Sequence, residues 1–246
     1  DVFRKVPKNM PKQEMLKKYL RKPIVDIPDP FGKEESYARY HEVQVEKDVA
    51  RVGIFPEYLY QAKKYRNLEY IEGIKTALQN REKIMEILNK YRKEPLPEKW
   101  LPVSGYCPSC NKHDTDFMGY DGEYKLEMKC HDCNKVFDVD LKKATFLKLP
   151  WRIDWPMRQS YERVDYEPGG KDHSAPGGSY DTAKEIIKIY NWTAPTYSKY
   201  DFVIIKGTGG KISSSEGNVI TLGDCLEVYT SEIIRWLFAG TRPNAE

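Results

Sequence analysis

Four cysteines constrain this chain more than any other residues. Cys107 and Cys110 form one Cys-x-x-Cys pair, Cys130 and Cys133 form a second, and 19 residues separate the two pairs. Each pair turns tightly enough for two thiolates to share one tetrahedral ion. A hairpin between the pairs brings four sulfurs together, at about 2.3 Å from a zinc ion. Asp121-Gly122 lies between the pairs and is a dipeptide suited to such a turn. His113 and His131 stand close enough to replace one sulfur, but both cysteine pairs are complete, which favours four sulfurs. Four protein ligands leave no open coordination position, so the expected zinc is structural and does not activate water. The fifth cysteine, Cys225, stands alone and reads as a small buried residue.

The rest of the chain can bury a core, since 40% of its residues are hydrophobic. The net charge of +3 permits a nucleic-acid partner without demanding one. Basic residues gather early, with Arg4, Lys5, Lys8, Lys12, Lys17, Lys18, Arg21 and Lys22 in the first 22 positions. No run is long and apolar enough to span a bilayer, and no secretory leader is read, so no membrane partner and a cytoplasmic location are expected. Residues 1–32 read as loops around a short helix near Gln13–Leu20, with Pro28 and Pro30 as breakers. Residues 33–49 read as helical. Leu68, Ile71, Ile74, Leu78, Met85 and Leu88 predict one amphipathic helix over 67–93. Alternation at Tyr124, Leu126, Met128 and at Phe137, Val139, Leu141 predicts strands. A helix near 179–191 followed by an apolar strand at 201–205 predicts an α/β unit.

That strand leads into Gly207-Thr-Gly-Gly-Lys-Ile-Ser-Ser-Ser-Glu-Gly-Asn218. The P-loop pattern fails here, because Ile205 stands at its first glycine and Ile212 follows Gly210-Lys211. The dinucleotide fingerprint fails too, since Ile212 replaces its third glycine. What remains is a lysine ammonium with serine hydroxyls on a glycine-flanked loop, a donor set suited to phosphate oxygens.

Lys211-Ile-Ser-Ser-Ser215 resembles the Lys-Met-Ser-Lys-Ser signature of class I aminoacyl-tRNA synthetases. With "LPWRIDWPMR" (149–158), "GGKDHSAPGGSYDTAKEI" (169–186), the 200–246 segment and the opening "FRKVP" and "DPFG", the chain resembles the archaeal-type class I lysyl-tRNA synthetases over essentially its whole length. The resemblance implies an α/β fold: part of a Rossmann-type catalytic domain with an α+β connective insertion that contains a zinc ribbon. The implied boundaries are a linker at 1–32, the insertion at 33–148 with its ribbon at 103–141, and the second catalytic half at 149–246.

It further implies activation of lysine by ATP with magnesium, then transfer of the lysyl group to tRNA(Lys). Lys211, Ser213, Ser214 and Ser215 would act on the ATP phosphates, with Lys211 stabilising the transition state; Ser214 replaces the signature's second lysine. Asp172 with Gly170, Gly177 and Gly178 would serve ATP, the two later glycines allowing close approach at a helix N-terminus, which favours anionic groups. Trp151, His173 and Tyr200 would line the lysine pocket, where an aromatic face suits an ammonium. The family's His-x-Gly-His-type signature is absent around His41, His113, His131 and His173. The resemblance places that signature before Asp1 and the anticodon-binding region after Glu246, so the chain alone is expected to be inactive. The competing expectation is a non-catalytic, zinc-containing nucleic-acid-binding protein derived from such an enzyme.

Overall fold

The computed structural model describes residues 1–202 and 219–243. In chain order the helices are α1 (Gln13–Lys17), α2 (Tyr37–Arg51), α3 (Gln61–Arg66), α4 (Ile71–Gln79), α5 (Arg81–Asn89), α6 (Trp151–Tyr161), α7 (Ser179–Ile186), α8 (Leu222–Leu226) and α9 (Ser231–Gly240). The strands are β1 (Ser104–Gly105), β2 (Thr115–Tyr120), β3 (Lys125–Cys130), β4 (Val136–Asp140), β5 (Leu147–Lys148), β6 (Tyr166–Gly170) and β7 (Thr196–Tyr200). They fall into two compact units, one of Asp1–Leu59 with Asp201–Glu246, the other of Tyr60–Tyr200.

In the first unit the opening segment packs Phe3, Leu16 and Ile27 into a small core of its own. The helix read from residue 33 begins at Tyr37, because the Ser36 hydroxyl caps it by accepting from the Arg39 amide at 3.1 Å. Farther on, Arg235 of α9 donates to the Val52 carbonyl at 2.9 Å. Cys225 lies on the short α8, which buries none of its residues, so the expectation of a buried thiol is not met.

The second unit holds the larger core. The single helix expected over 67–93 is two helices, α4 and α5. Leu68 turns through a left-handed backbone (φ 65°), and Asn80 leaves helical geometry between α4 and α5. The Asn80 side chain donates to the Thr76 carbonyl at 2.9 Å, competing with the backbone for the same acceptor. The break changes the phase of the apolar stripe, so Ile84 is fully buried rather than Met85.

Strands β2, β3 and β4 make an antiparallel sheet, in which Leu126 pairs with Val139 and Met128 with Phe137. Gly122 takes φ 88° in the β2–β3 turn, as the Asp-Gly dipeptide requires. The inner face joins α4, α5 and α6 in one buried cluster with Leu126, Met128, Val139, Ile74, Ile84 and Ile153. Its outer face carries Asp116, Glu127, Asp138 and Asp140 against Lys125 and Lys129, so carboxylates outnumber lysines there.

Strands β6 and β7 are parallel and α7 lies between them in the chain, which makes a β-α-β unit. The helix expected at 179–191 is α7 followed by a 3-10 turn over Ile187–Tyr190. The strand expected at 201–205 lies mostly outside the described residues, and the observed strand β7 ends at Tyr200. Helix α6 was not anticipated. It contains Pro156, which cannot donate to the carbonyl one turn earlier, yet it buries Ile153, Trp155 and Met157.

Ile153 is fully buried in the main cluster. Ile153→Ala should lower unfolding free energy by about 2–5 kcal/mol in urea denaturation. A loss below about 1 kcal/mol would mean that α6 is not packed as described.

Candidate functional site

The four cysteines converge. Their Sγ atoms all lie within 4.8 Å of one another, with Cys107–Cys133 at 3.6 Å and Cys110–Cys130 at 3.7 Å. A tetrahedral zinc with Zn–S bonds of about 2.3 Å needs sulfurs about 3.8 Å apart. The donor set fits that ion. Cys107 and Cys130 are buried, and burial pushes the Cys107 thiol up to about 12. A cation among the sulfurs would reverse that preference and hold them as thiolates. Neither histidine joins the cluster: His113 Nε2 lies 2.7 Å from the Ser104 hydroxyl, and His131 Nε2 lies 2.7 Å from the Asp116 carboxylate.

The two turns repeat one design. Each reads Cys-x-x-Cys-Asn-Lys, and Asn111 (φ 59°) and Asn134 (φ 55°) both take left-handed backbone just after the second cysteine. Asparagine tolerates that conformation better than other non-glycine residues. In each turn the first cysteine's amide reaches back, Cys107 to the Lys112 carbonyl at 3.0 Å and Cys130 to the Lys135 carbonyl at 2.9 Å. The paired asparagines were a legible signal that the spacing argument left unused.

A second concentration of chemistry lies between α6, β6 and α7. Trp151 and Trp155 stand one turn apart on α6 with nearly parallel rings, 5.2 Å between centroids and 13° between planes. Both lie 5.7 Å from the His173 ring. Trp151 is 45% exposed, and its indole N–H donates to the Ser179 hydroxyl at 3.2 Å. The Arg158 guanidinium lies 5.7 Å from the Trp151 ring. Tyr200, also half exposed, ends β7 beside Gly170, and its carbonyl accepts from the Lys171 amide at 2.9 Å. Asp172 is exposed, and its carboxylate lies close enough to Gly170 that a Cβ there would meet it at 2.8 Å. Thus Trp151 and His173 come together on one side of the β6–α7 loop, and Tyr200, Gly170 and Asp172 come together at the carboxyl ends of the two parallel strands.

The loop into α7 has little freedom. Gly177 takes φ 72°, and a Cβ on Gly178 would meet the Ala175 and His173 carbonyls at 2.6 and 2.7 Å. Arg152 of α6 donates to the Gly177 and Gly178 carbonyls at 3.0 and 3.2 Å. At the helix N-terminus the Asp181 carboxylate already accepts from the Gly177 amide at 2.8 Å. Lys184 and that amide hold the Asp181 carboxyl below its ordinary range.

Sequence reading missed Trp155, Gln159, Glu167, Tyr180 and Tyr197. Glu167 accepts from Trp155 at 2.7 Å and from Gln159 at 2.5 Å. Tyr180 and Tyr197 stack at 3.8 Å, and a Cβ on Gly169 would overlap the Tyr197 phenol. Only the repeated aromatics of "WRIDWPMR" hinted at this cluster. Lys211, Ser213, Ser214 and Ser215 lie outside the described residues.

Native mass spectrometry should find one zinc per chain, and Cys130→Ser should lose it. Excess chelator should also release it and lower the melting temperature, since ligand binding to the folded state alone stabilises that state. A chain that carries no metal after expression in zinc-replete medium would overturn the four-thiolate assignment.

The family model for class I tRNA synthetases (K) matches residues 1–246. Among curated relatives, the lysine–tRNA ligase of Borrelia garinii subsp. bavariensis is 51% identical over 246 residues, covering 100% of this chain and 47% of that protein. The lysine–tRNA ligase of Thermococcus kodakarensis is 45% identical over 251 residues, again covering 100% and 47%. That of Methanocaldococcus jannaschii is 39% identical, covering 99% and 46%. The chain therefore spans just under half the length of these relatives. A match along its whole length, reaching archaeal proteins as well as Borrelia, makes this chain a member of the class I (K) tRNA synthetase family.

Proposed function

We propose that this chain is part of a lysine–tRNA ligase that activates lysine with ATP and transfers it to tRNA(Lys). The observation that carries this reading is the match along this whole chain, at up to 51% identity, to just under half of proteins named lysine–tRNA ligase. The aromatic cluster supports it. Trp151 offers an exposed face to an alkyl stem and ammonium, with His173 beside it and Tyr200 at the end of β7.

In this reading the lysine carboxylate attacks the α-phosphate of ATP, which enters as its magnesium complex. Lysyl-adenylate forms and pyrophosphate leaves. Lys211 neutralises charge developing on the phosphates, and Ser213, Ser214 and Ser215 donate to their oxygens. Asp172 faces the adenosine, and Gly170, Gly177 and Gly178 let the nucleotide approach the backbone. The lysyl group then passes to the 3′ end of tRNA(Lys). Cys107, Cys110, Cys130 and Cys133 hold a structural zinc in a ribbon. The β6-α7-β7 unit is read as part of a Rossmann-type catalytic domain, entered at residue 149 after a linker (1–32) and an insertion (33–148). The remaining parts of the enzyme complete the active site and the tRNA contact, and the protein works in the cytoplasm. No helix among the described residues is long and apolar enough to cross a membrane.

The alternative, a zinc-containing nucleic-acid binder without catalysis, draws no support from the outer face of the β2-β3-β4 sheet, where carboxylates outnumber lysines. Lysine-dependent ATP–pyrophosphate exchange decides between the two readings, using the protein at the length of its relatives. Exchange should be present, and Lys211→Ala should reduce it about 100- to 1,000-fold while RNA binding changes little. Undiminished exchange in Lys211→Ala would remove the role given to that lysine. Absence of exchange in the unmodified protein would sink the ligase reading.

A further inference from the structure

Glu167 lies on β6, where strand alternation directs its side chain toward α6. Its two carboxylate oxygens are taken by two donors from one helix face. Oε1 accepts from the Trp155 indole at 2.7 Å, and Oε2 accepts from the Gln159 amide at 2.5 Å. Residues 151, 155 and 159 follow one another at four-residue steps, so Trp151, Trp155 and Gln159 form a single row along α6. Gln159 is 3% exposed and Trp155 is 6% exposed. Trp155 is thus fixed at its indole nitrogen by the carboxylate and on one face by the parallel Trp151 ring, with the tilted His173 and Tyr180 rings beside it.

An indole ring has one donor. With an acceptor in place its rotation about the side chain is restricted, and without one the N–H is left unsatisfied in a buried site. A carboxylate is an acceptor on both oxygens and makes stronger hydrogen bonds than a neutral group. Glu167 therefore sets the plane of Trp155. Through the parallel stack it also supports Trp151, the more exposed member of the pair, whose own indole N–H donates to the Ser179 hydroxyl at 3.2 Å.

We propose that Glu167 is a positioning residue for the amino-acid pocket, fixing the Trp155–Trp151 stack against which the substrate's alkyl stem lies. The inference rests on the lysine–tRNA ligase reading of that pocket. Glu167 touches neither substrate nor ATP. Its effect should appear in the affinity for lysine and in the geometry of the indoles, not in the handling of ATP.

The test compares Glu167→Ala and Glu167→Gln with the unmodified protein at the length of its relatives. Two readouts are taken: the exciton couplet that stacked indoles give in circular dichroism, and the separate KM values for lysine and ATP in pyrophosphate exchange. Glu167→Ala should lose most of the couplet and raise the KM for lysine about tenfold, with the KM for ATP and kcat within about twofold. Glu167→Gln keeps a carbonyl oxygen for the indole N–H and should restore most of both. If the alanine variant fails to fold, Glu167→Met fills the same space without an acceptor and should show the same losses. An unchanged couplet and lysine KM in the alanine or methionine variant would overturn the proposal, as would a fall in kcat alone. Absence of exchange in the unmodified protein fails differently, since it removes the ligase reading and the pocket's assignment to lysine with it.

Discussion

Asp154 is largely buried on α6 and is held from two directions. The Tyr65 hydroxyl donates to one of its oxygens, and the Arg158 guanidinium reaches the other at 2.8 Å from one turn along the helix. Tyr65 also accepts from the Leu149 amide at 3.3 Å, just before α6 begins. Burial first, and the Asp154 charge after it, push the Tyr65 and Tyr190 phenols upward, so both remain protonated donors. Lys64 and Tyr70 meet Glu162 at 2.7 and 3.0 Å at the far end of the same helix. Helix α6 is thereby tied at its start, middle and end to the segment that contains α3 and the start of α4. The α6 side of the aromatic site follows from that placement, because Trp151, Arg152, Trp155 and Gln159 all stand on α6.

A partly buried ion pair adds little stability beyond what well-packed apolar residues would supply, but losing one partner leaves a buried charge and is costly. The Asp154–Arg158 pair lies within α6, so the direction in which the helix faces is set from outside it, by Tyr65 on Asp154 and Lys64 on Glu162. Within the helix, the Arg158 guanidinium meets Asp154 and lies 5.7 Å from the Trp151 ring. Arg152 on the same helix fixes the Gly177-Gly178 turn through its carbonyls. One helix thus orients the indoles and the loop that carries His173.

Where the chemistry is local, the sequence was legible. The cysteine pairs, the Asp121-Gly122 turn and the alternation in β3 and β4 each depend on residues a few positions apart. The helix break at Asn80 was not legible, because the apolar period runs through it and the flanking backbone hydrogen bonds continue, the break being marked only by the Asn80 dihedrals and its side-chain bond to Thr76. Helix α6 was obscured by Pro150 and Pro156, which ordinarily argue against a helix interior. Its existence is decided by tertiary contacts, since Ile153 and Met157 fill the main core. The Glu167–Trp155–Gln159 triangle was illegible for a similar reason. It joins a strand to a helix across a turn, and a lone glutamate in "DYEPGG" carries no mark of the partners it will find.

The cysteine cluster and the aromatic site are linked through the core they share. Leu126, Met128 and Val139 of the cysteine-bearing sheet lie in the same buried cluster as Ile153 and Met157 of α6. Cys130 ends β3 and pairs across the sheet with Thr115, so a metal on its sulfur would fix the register of the strand that supplies Met128 to that cluster. Close-packed interiors pass small shifts on rather than absorbing them. An ion held by the four sulfurs would therefore act on the aromatic site without touching it, by holding one wall of the core against which α6 rests.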